Sequence, residues 1–251
     1  MGALHVVQLE FDGLGAEERF DRLRAALPPV PVHRVDPVFL NIAADVFTAI
    51  APRADRLADR LGALPARAAV VIQAYCTGTS LALAAAARLE RDGHEVRLVQ
   101  LFNPEAVTPA HIETAYWELA DRLGAPPGQP QQLARSVLGE GGPDGAAGKL
   151  RALRSGLCEA GQQFARRLGV PDPDAATFSL ELVDRYCAWL NFLLSSLEAQ
   201  PEAEAPVRVY LGGLTDPGLL ASAAADVRLT RGDGHAADLP AGRGGRLAVA
   251  D

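Results

Sequence analysis

Cys76 stands where a nucleophile belongs. The segment Val70-Val71-Ile72-Gln73-Ala74-Tyr75-Cys76-Thr77-Gly78-Thr79-Ser80-Leu81 opens on an apolar run that reads as a buried strand. A tight turn containing Gly78 follows, then an alanine-rich segment that reads as a helix. This is the strand–turn–helix context of the nucleophile elbow, G-x-S-x-G, with Ala74 at the first glycine, Cys76 at the serine and Gly78 at the last glycine. The turn is strained. It pushes one side chain out at the carboxyl end of a sheet and aims a helix N-terminus at it. The positive end of the helix dipole lowers a thiol pKa and stabilises an oxyanion. A cysteine in this place points to acyl transfer through a thioester. The elbow pattern makes Thr77 N–H one oxyanion donor. The second belongs to the loop after the first strand, Asp12-Gly13-Leu14-Gly15, where Gly13 and Leu14 are both candidates.

A base is also needed. His235 lies in Arg231-Gly232-Asp233-Gly234-His235-Ala236-Ala237-Asp238-Leu239, between glycines and small residues, after the last predicted strand. The order, nucleophile first and histidine last, is that of triads built on this elbow. The other histidines fit worse. His5 and His33 fall within predicted strands, His94 follows a helix end, and His111 starts a helix.

The elements that must position these groups alternate. Strands are expected over 4–11, 30–35, 68–75 and 95–102, with helices over 16–27, 42–64 (interrupted near Pro52) and 80–91, the last closed by Gly93. This spacing implies βαβ crossovers and a mostly parallel sheet. Then the pattern changes. From about residue 108 to 200 only helices are expected, over 110–123, 131–138, 146–168 and 178–199. Strand signals return at 207–211 and 226–229. The reading is therefore an α/β core over 1–107 and 205–251, interrupted by a helical insertion over 108–204. Such an insertion would lie as a lid over the carboxyl ends of the strands, where ligands bind in open α/β sheets.

Bulk properties exclude several classes. The chain has 251 residues, 49% of them hydrophobic, enough for one substantial core. A net charge of −7 gives no support for nucleic-acid binding. No basic segment precedes an apolar one at the start, and no long apolar run spans a membrane. Cys76, Cys158 and Cys187 lack metal spacing and cannot all pair within one chain, which fits a reducing cytoplasm. No metal and no bound cofactor are expected.

These motifs together resemble the α/β-hydrolase thioesterases of nonribosomal peptide and polyketide assembly lines. Ala74-Tyr75-Cys76-Thr77-Gly78 is similar to that family's G-[YW]-S-x-G elbow, with alanine and cysteine in place of the first glycine and the serine. Arg88-Leu89-Glu90-Arg91-Asp92-Gly93-His94-Glu95-Val96 resembles its helix-to-strand segment. Val99-Gln100-Leu101-Phe102-Asn103-Pro104 resembles its next strand end, and Gly232-Asp233-Gly234-His235 its GxH loop. The resemblance implies an α/β-hydrolase fold with a helical lid between two strands. It also implies a substrate carried on the phosphopantetheine of an acyl or peptidyl carrier protein. For the group that orients His235 it implies two positions. One is Asn103, 27 residues after Cys76 (103 − 76), and the other is Asp216 in Gly212-Gly213-Leu214-Thr215-Asp216-Pro217. Asp216 brings a carboxylate that would stabilise imidazolium. Asn103 would orient the ring without charge. Both stay open, with Glu105 a weaker third.

Cysteine in place of serine has a chemical consequence. An acyl-S-enzyme made from a carrier thioester is nearly isoenergetic with its donor, and it reacts well with amines and thiols. Transfer or aminolysis to a small acyl acceptor is therefore favoured over simple hydrolysis. Tyr75 beside the nucleophile, and Tyr186 and Trp189 on one helical face of the insertion, are candidate substrate contacts, although aromatic residues at such spacing also serve as core.

Overall fold

Among the described residues five short strands, β1 (Leu4–Leu9), β2 (Val32–Val35), β3 (Ala69–Tyr75), β4 (Glu95–Phe102) and β5 (Val207–Tyr210), pair into one sheet in the order β2-β1-β3-β4-β5. Every pairing is parallel. The computed structural model describes residues 3–11, 20–38, 40, 43, 45–170, 172–201, 203–212 and 216–230. The helices are α1 (Asp21–Ala26), α2 (Ile50–Arg60), α3 (Thr79–Arg91), α4 (Pro109–Arg122), α5 (Gln129–Leu138), α6 (Gly145–Arg167), α7 (Asp172–Leu197) and α8 (Pro217–Arg228). A single 3₁₀ turn, Cys76–Gly78, joins β3 to α3. Strand–helix alternation, a parallel sheet and four helices inserted between β4 and β5 make this an α/β-hydrolase arrangement with the elbow on the central strand.

The chain divides into two compact units. The first comprises Met1–Leu40, Ile50–Ala106 and Gln200–Asp251, and the second Asn41–Ala49 and Val107–Ala199. In the first unit the inner strands β1, β3 and β4 are mostly apolar and buried, because a parallel sheet is covered on both faces, while the edge strands β2 and β5 are more exposed. On one face Leu4, Val6, Ala69, Val71 and Leu98 pack with Val227 of α8. Further along, Phe102 meets Phe20, Leu23, Leu220 and Ala223. Strand order reverses between β1, whose crossover leads to β2 on one side, and β3, whose crossover leads to β4 on the other. The carboxyl ends of β1 and β3 therefore flank a topological switch point, the place where open α/β sheets bind ligands.

One layer of this sheet is polar. Gln8, Gln73 and Gln100 are paired in register on β1, β3 and β4, and all three are fully buried. Gln8 Nε2 donates to Gln73 Oε1 at 2.7 Å, and Gln73 Nε2 to Gln100 Oε1 at 2.6 Å. Gln100 Nε2 then donates to Ala223 O at 3.0 Å and to the Tyr210 hydroxyl at 2.9 Å. The ends set the direction of the chain. Arg24, which can only donate, bonds Gln8 Oε1 at 3.0 Å, and at the far end the Tyr210 hydroxyl donates to Asp226. The relay thus runs from a guanidinium to a carboxylate across four strands.

The helical unit has its own core, built from Ile112, Tyr116 and Leu119 of α4, Ala134 of α5, Leu150, Leu153 and Leu157 of α6, and Val183, Cys187, Leu190 and Leu194 of α7. Buried Asn191 on α7 ties the 45–48 segment to it. Its Oδ1 accepts from Thr48 N at 3.1 Å, and its Nδ2 donates to Val46 O at 2.8 Å. Among the described residues, no helix is long and apolar enough to cross a membrane.

Two expectations are corrected. The strand expected over 226–229 is instead the end of α8. Asp216 caps that helix, and Leu220, Ala223, Ala224 and Val227 are buried at helical spacing, so an apolar pair read as strand belongs to a 3.6-residue period. Pro52 does not interrupt a helix. It lies in the first turn of α2, where its missing N–H is an orphan anyway.

Candidate active site

The elbow is the 3₁₀ turn Cys76–Gly78 between β3 and α3. Cys76 takes a left-handed backbone, φ 51°, which costs a non-glycine residue about 1–3 kcal/mol and persists only when the surroundings enforce it. They do so through the Cys76 carbonyl. It accepts the Thr79 backbone N–H that closes the 3₁₀ turn, the Thr79 hydroxyl at 2.8 Å, and Glu105 N–H at 3.4 Å. A Cβ at Gly78 would sit 3.4 Å from the Ala74 Cβ and 3.5 Å from the Phe11 ring. These are ordinary van der Waals distances, so the methyl group of Ala74 is accommodated without crowding the turn. Thr77 is buried directly beneath the start of α3. It is the residue after the nucleophile, whose N–H is an oxyanion donor in the elbow pattern.

The side chain of Cys76 is half-buried, and its Sγ–H donates to Glu105 Oε2 at 2.9 Å. The sequence makes Glu105 only a weak orienting candidate, yet the structure sets it on the nucleophile. Asn103, at the end of β4, also has a left-handed backbone, φ 44°, tolerable for asparagine. That kink, followed by Pro104, turns the chain so that Glu105 returns to both the carbonyl and the thiol of Cys76. The signal in the sequence is Asn103-Pro104, a turn-forming pair at a strand end.

Asn103 is tied to β5. Its Nδ2 donates to Gly212 O at 2.7 Å and to the Tyr75 hydroxyl at 3.3 Å, while its Oδ1 accepts from Gly212 N at 2.7 Å. It thus stitches the carboxyl ends of β3, β4 and β5 together. Tyr75 packs against the Phe20–Phe102–Leu220 cluster. Asp216 Oδ1 accepts from Gly218 N at 2.8 Å as the N-cap of α8. Tyr186 and Trp189 are partly buried against the helical core, with Trp189 stacked on Phe192 at 5.6 Å.

His235, Gly13 and Leu14 lie outside the described residues. Three other histidines gather at the amino ends of the strands, the end away from Cys76. His5 Nδ1 lies 3.0 Å from His33 Nε2. Burial pushes both imidazoles down from the usual histidine range, with His94 adding to the effect on His5, and His5 to that on His33. His111 caps α4, its Nδ1 accepting from Thr108 N–H at 3.0 Å. Burial raises the Cys158 thiol and pushes the Cys187 thiol up to about 12, so neither is a ready nucleophile. Among the described residues, no group of three or more histidine, cysteine, aspartate or glutamate side chains is placed to hold a metal ion.

No protein-family model matches the chain, and no curated protein matches it. Among solved structures it is similar to the NocB thioesterase domain in covalent complex with a fluorophosphonate nocardicin G analogue, at 18% identity over 92% of this chain and 95% of that chain, TM-score 0.43. It is similar to the Vlm2 thioesterase domain bound with a dodecadepsipeptide, at 16% identity over 89% and 78%, TM-score 0.43. An acetylester hydrolase from Corynebacterium glutamicum is comparably similar, at 10% identity over 92% and 86%, TM-score 0.44. Likenesses this distant carry no conclusion about activity.

Proposed function

We propose that this protein is a cysteine-dependent acyl-transfer enzyme of the thioesterase type. It would act on acyl or aminoacyl groups held as phosphopantetheine thioesters on a carrier protein, in natural-product assembly. The observation that supports this most is Cys76 itself, a thiol on a left-handed elbow at the end of the central strand, aimed by its bond to Glu105 and set at the start of α3. A strained nucleophile at a topological switch point has little structural purpose.

In the proposed reaction, Sγ attacks the thioester carbonyl and the oxyanion is held by Thr77 N–H at the positive end of α3. Gly13 or Leu14 supplies the second donor. His235 takes the thiol proton and returns it to the departing pantetheine sulfur, oriented by Asp216 or Asn103. Glu105 fixes the Sγ rotamer before attack. The acyl group then passes from Cys76 to its acceptor.

Intact-protein mass spectrometry after incubation with an acyl-loaded carrier protein tests this. A covalent acyl adduct is expected on the wild type, lost in Cys76→Ala and kept in Cys158→Ala and Cys187→Ala. His235→Ala should slow adduct formation by about 10² or more with the fold intact. Persistence of the adduct in Cys76→Ala removes Cys76 from the chemistry. An adduct formed equally well from a free ester without a carrier replaces the carrier reading with that of a small-molecule esterase.

A further inference from the structure

We infer that the helical unit carries a ligand site of its own, a small cavity between α4, α5 and α6 that takes a short aliphatic ammonium group. The cavity has a volume of about 50 Å³. One water needs roughly 10–15 Å³ of such space, so it holds about four waters or a ligand of about four non-hydrogen atoms. All the residues that line it belong to the helical unit, and none is a group assigned to the thioester chemistry.

The floor of the cavity is polar and buried. Tyr116 is 2% exposed, and among the described residues its hydroxyl makes no hydrogen bond. Gly156 on α6 permits this placement. A Cβ there would collide with Tyr116 Oη and with Leu133 Cδ2, so glycine is what lets α6 pass the tip of the phenol. Burial, with smaller contributions from Cys187 and Glu159, pushes the phenol up from its usual range. The phenol therefore stays protonated at neutral pH, and its oxygen still has lone pairs for a donor. A buried hydroxyl without a partner is unfavourable, and a ligand that donates to it removes that cost.

The rest of the lining selects the ligand. Ala120, Leu133 and Ala160 form an apolar wall, and Gln129, Glu159 and Gln163 form an exposed polar rim. Among the described residues Glu159 is the one charged side chain in the lining, and no lysine or arginine joins it. Gln163 Nε2 donates to Glu159 Oε1 at 3.4 Å, which leaves the carboxylate further acceptor capacity. The amino end of α5 also opens here. Its Gln129 N–H is taken by Pro126 O at 3.4 Å and Pro130 has no N–H, so it offers little to an anion. An ammonium group has three donors, enough for Tyr116 Oη, the Glu159 carboxylate and one glutamine amide oxygen, with a charge-assisted bond to the carboxylate. A stem of about three carbons covers the apolar wall and reaches the size limit.

The test titrates propylammonium chloride into the full chain, isotope-labelled on its tyrosine rings. The four tyrosines give four signals, and Tyr116→Phe identifies one of them by its loss. A saturable shift is expected at Tyr116 and not at Tyr75, Tyr186 or Tyr210, with a Kd in the millimolar range that so small a ligand allows. Propanol, equal in size and uncharged, should bind at least about threefold more weakly. Glu159→Gln should raise the Kd for propylammonium about twofold to fivefold and remove most of its salt dependence. Tyr116→Phe, followed by saturation transfer to the ligand, should raise it about twofold to tenfold. One variant removes an exposed charge and the other an unpartnered hydroxyl, so both should keep the wild-type urea midpoint. The inference is overturned by a Tyr116 signal that does not saturate, as a cavity holding only water would give. It is overturned equally by propanol binding as tightly as propylammonium, or by a Kd unchanged in both variants.

Discussion

Replacing Gln73 with methionine should destabilise the α/β unit severely, although the change is to an apolar residue at a fully buried position. Gln73 is the middle link of the buried amide relay. Methionine matches glutamine in length and shape, so little cavity or overpacking cost is added. What changes is that Gln8 Nε2 loses its acceptor and Gln100 Oε1 its donor, and both residues are fully buried with no access to water. Each stranded group costs about 1–3 kcal/mol, so the pair costs about 2–6 kcal/mol. That is a large share of the about 5–15 kcal/mol that stabilises a typical domain. For a chain of this size it lowers Tm by about 4–24 °C. Urea unfolding followed by far-UV circular dichroism measures the loss, and hydrogen exchange at the β1, β3 and β4 amides localises it. Fluorescence would be misleading, since Trp117 and Trp189 both belong to the helical unit. The double variant Gln8→Met/Gln73→Met removes one stranded donor and should cost less than the sum of its single changes. A Gln73→Met protein within about 0.5 kcal/mol of wild type, or strict additivity in the double variant, would refute the argument that the relay is a coupled unit.

Two further outcomes follow from thiol and imidazole chemistry. Limiting iodoacetamide at neutral pH should alkylate Cys76 first, Cys158 slowly and Cys187 not at all in the folded protein, because burial pushes the Cys187 thiol up to about 12; peptide mapping that finds Cys187 labelled before Cys76 contradicts this. His5 and His33 are held below the unfolded histidine pKa of about 6.5, so the unfolded chain binds more protons between the two values and stability should fall as pH drops below about 6.5. That stability is fully present above the unfolded pKa, and His5→Gln should flatten the pH 5–7 slope of urea unfolding; an unchanged slope removes the pair from the acid response.

The parts of this molecule that repeat a local rule were legible in its sequence. The β4 strand was readable to the residue, 95–102, because an apolar run is bounded by the glycine turn at Gly93 and by Asn103-Pro104. The elbow was legible for the same reason, a buried strand, a small-residue turn and an alanine-rich helix in succession. What escaped depends on register. Gln8, Gln73 and Gln100 look like isolated polar interruptions until β1, β3 and β4 are paired, and nothing local announces that pairing. The end of α8 escaped because Val227 and Leu229 suit a strand locally, while the helix that carries Val227 and is capped at Leu229 starts from Asp216, well upstream. The reading of His235 as following a strand loses that support, since the last element described before it is α8.

Two left-handed non-glycine residues, Cys76 and Asn103, end adjacent strands of the same sheet, and this pairing ties the site to the fold. Each would relax alone, since each stores about 1–3 kcal/mol of backbone strain. They are held by different partners. Cys76 is fixed through its carbonyl by Thr79 and Glu105, and Asn103 through its amide by Gly212 and Tyr75. Glu105 is two residues beyond Asn103, so the second kink is what delivers the carboxylate to the first. Strain at Asn103 therefore has its return at Cys76, where the thiol gains a fixed rotamer and a charged neighbour. A glycine at position 103 could adopt the same backbone without strain, but it would surrender all three side-chain bonds to Gly212 and Tyr75 and with them the position of Glu105. By this argument asparagine at the strand end serves the nucleophile through the turn it holds, which is a positioning role whether or not its amide also meets a histidine.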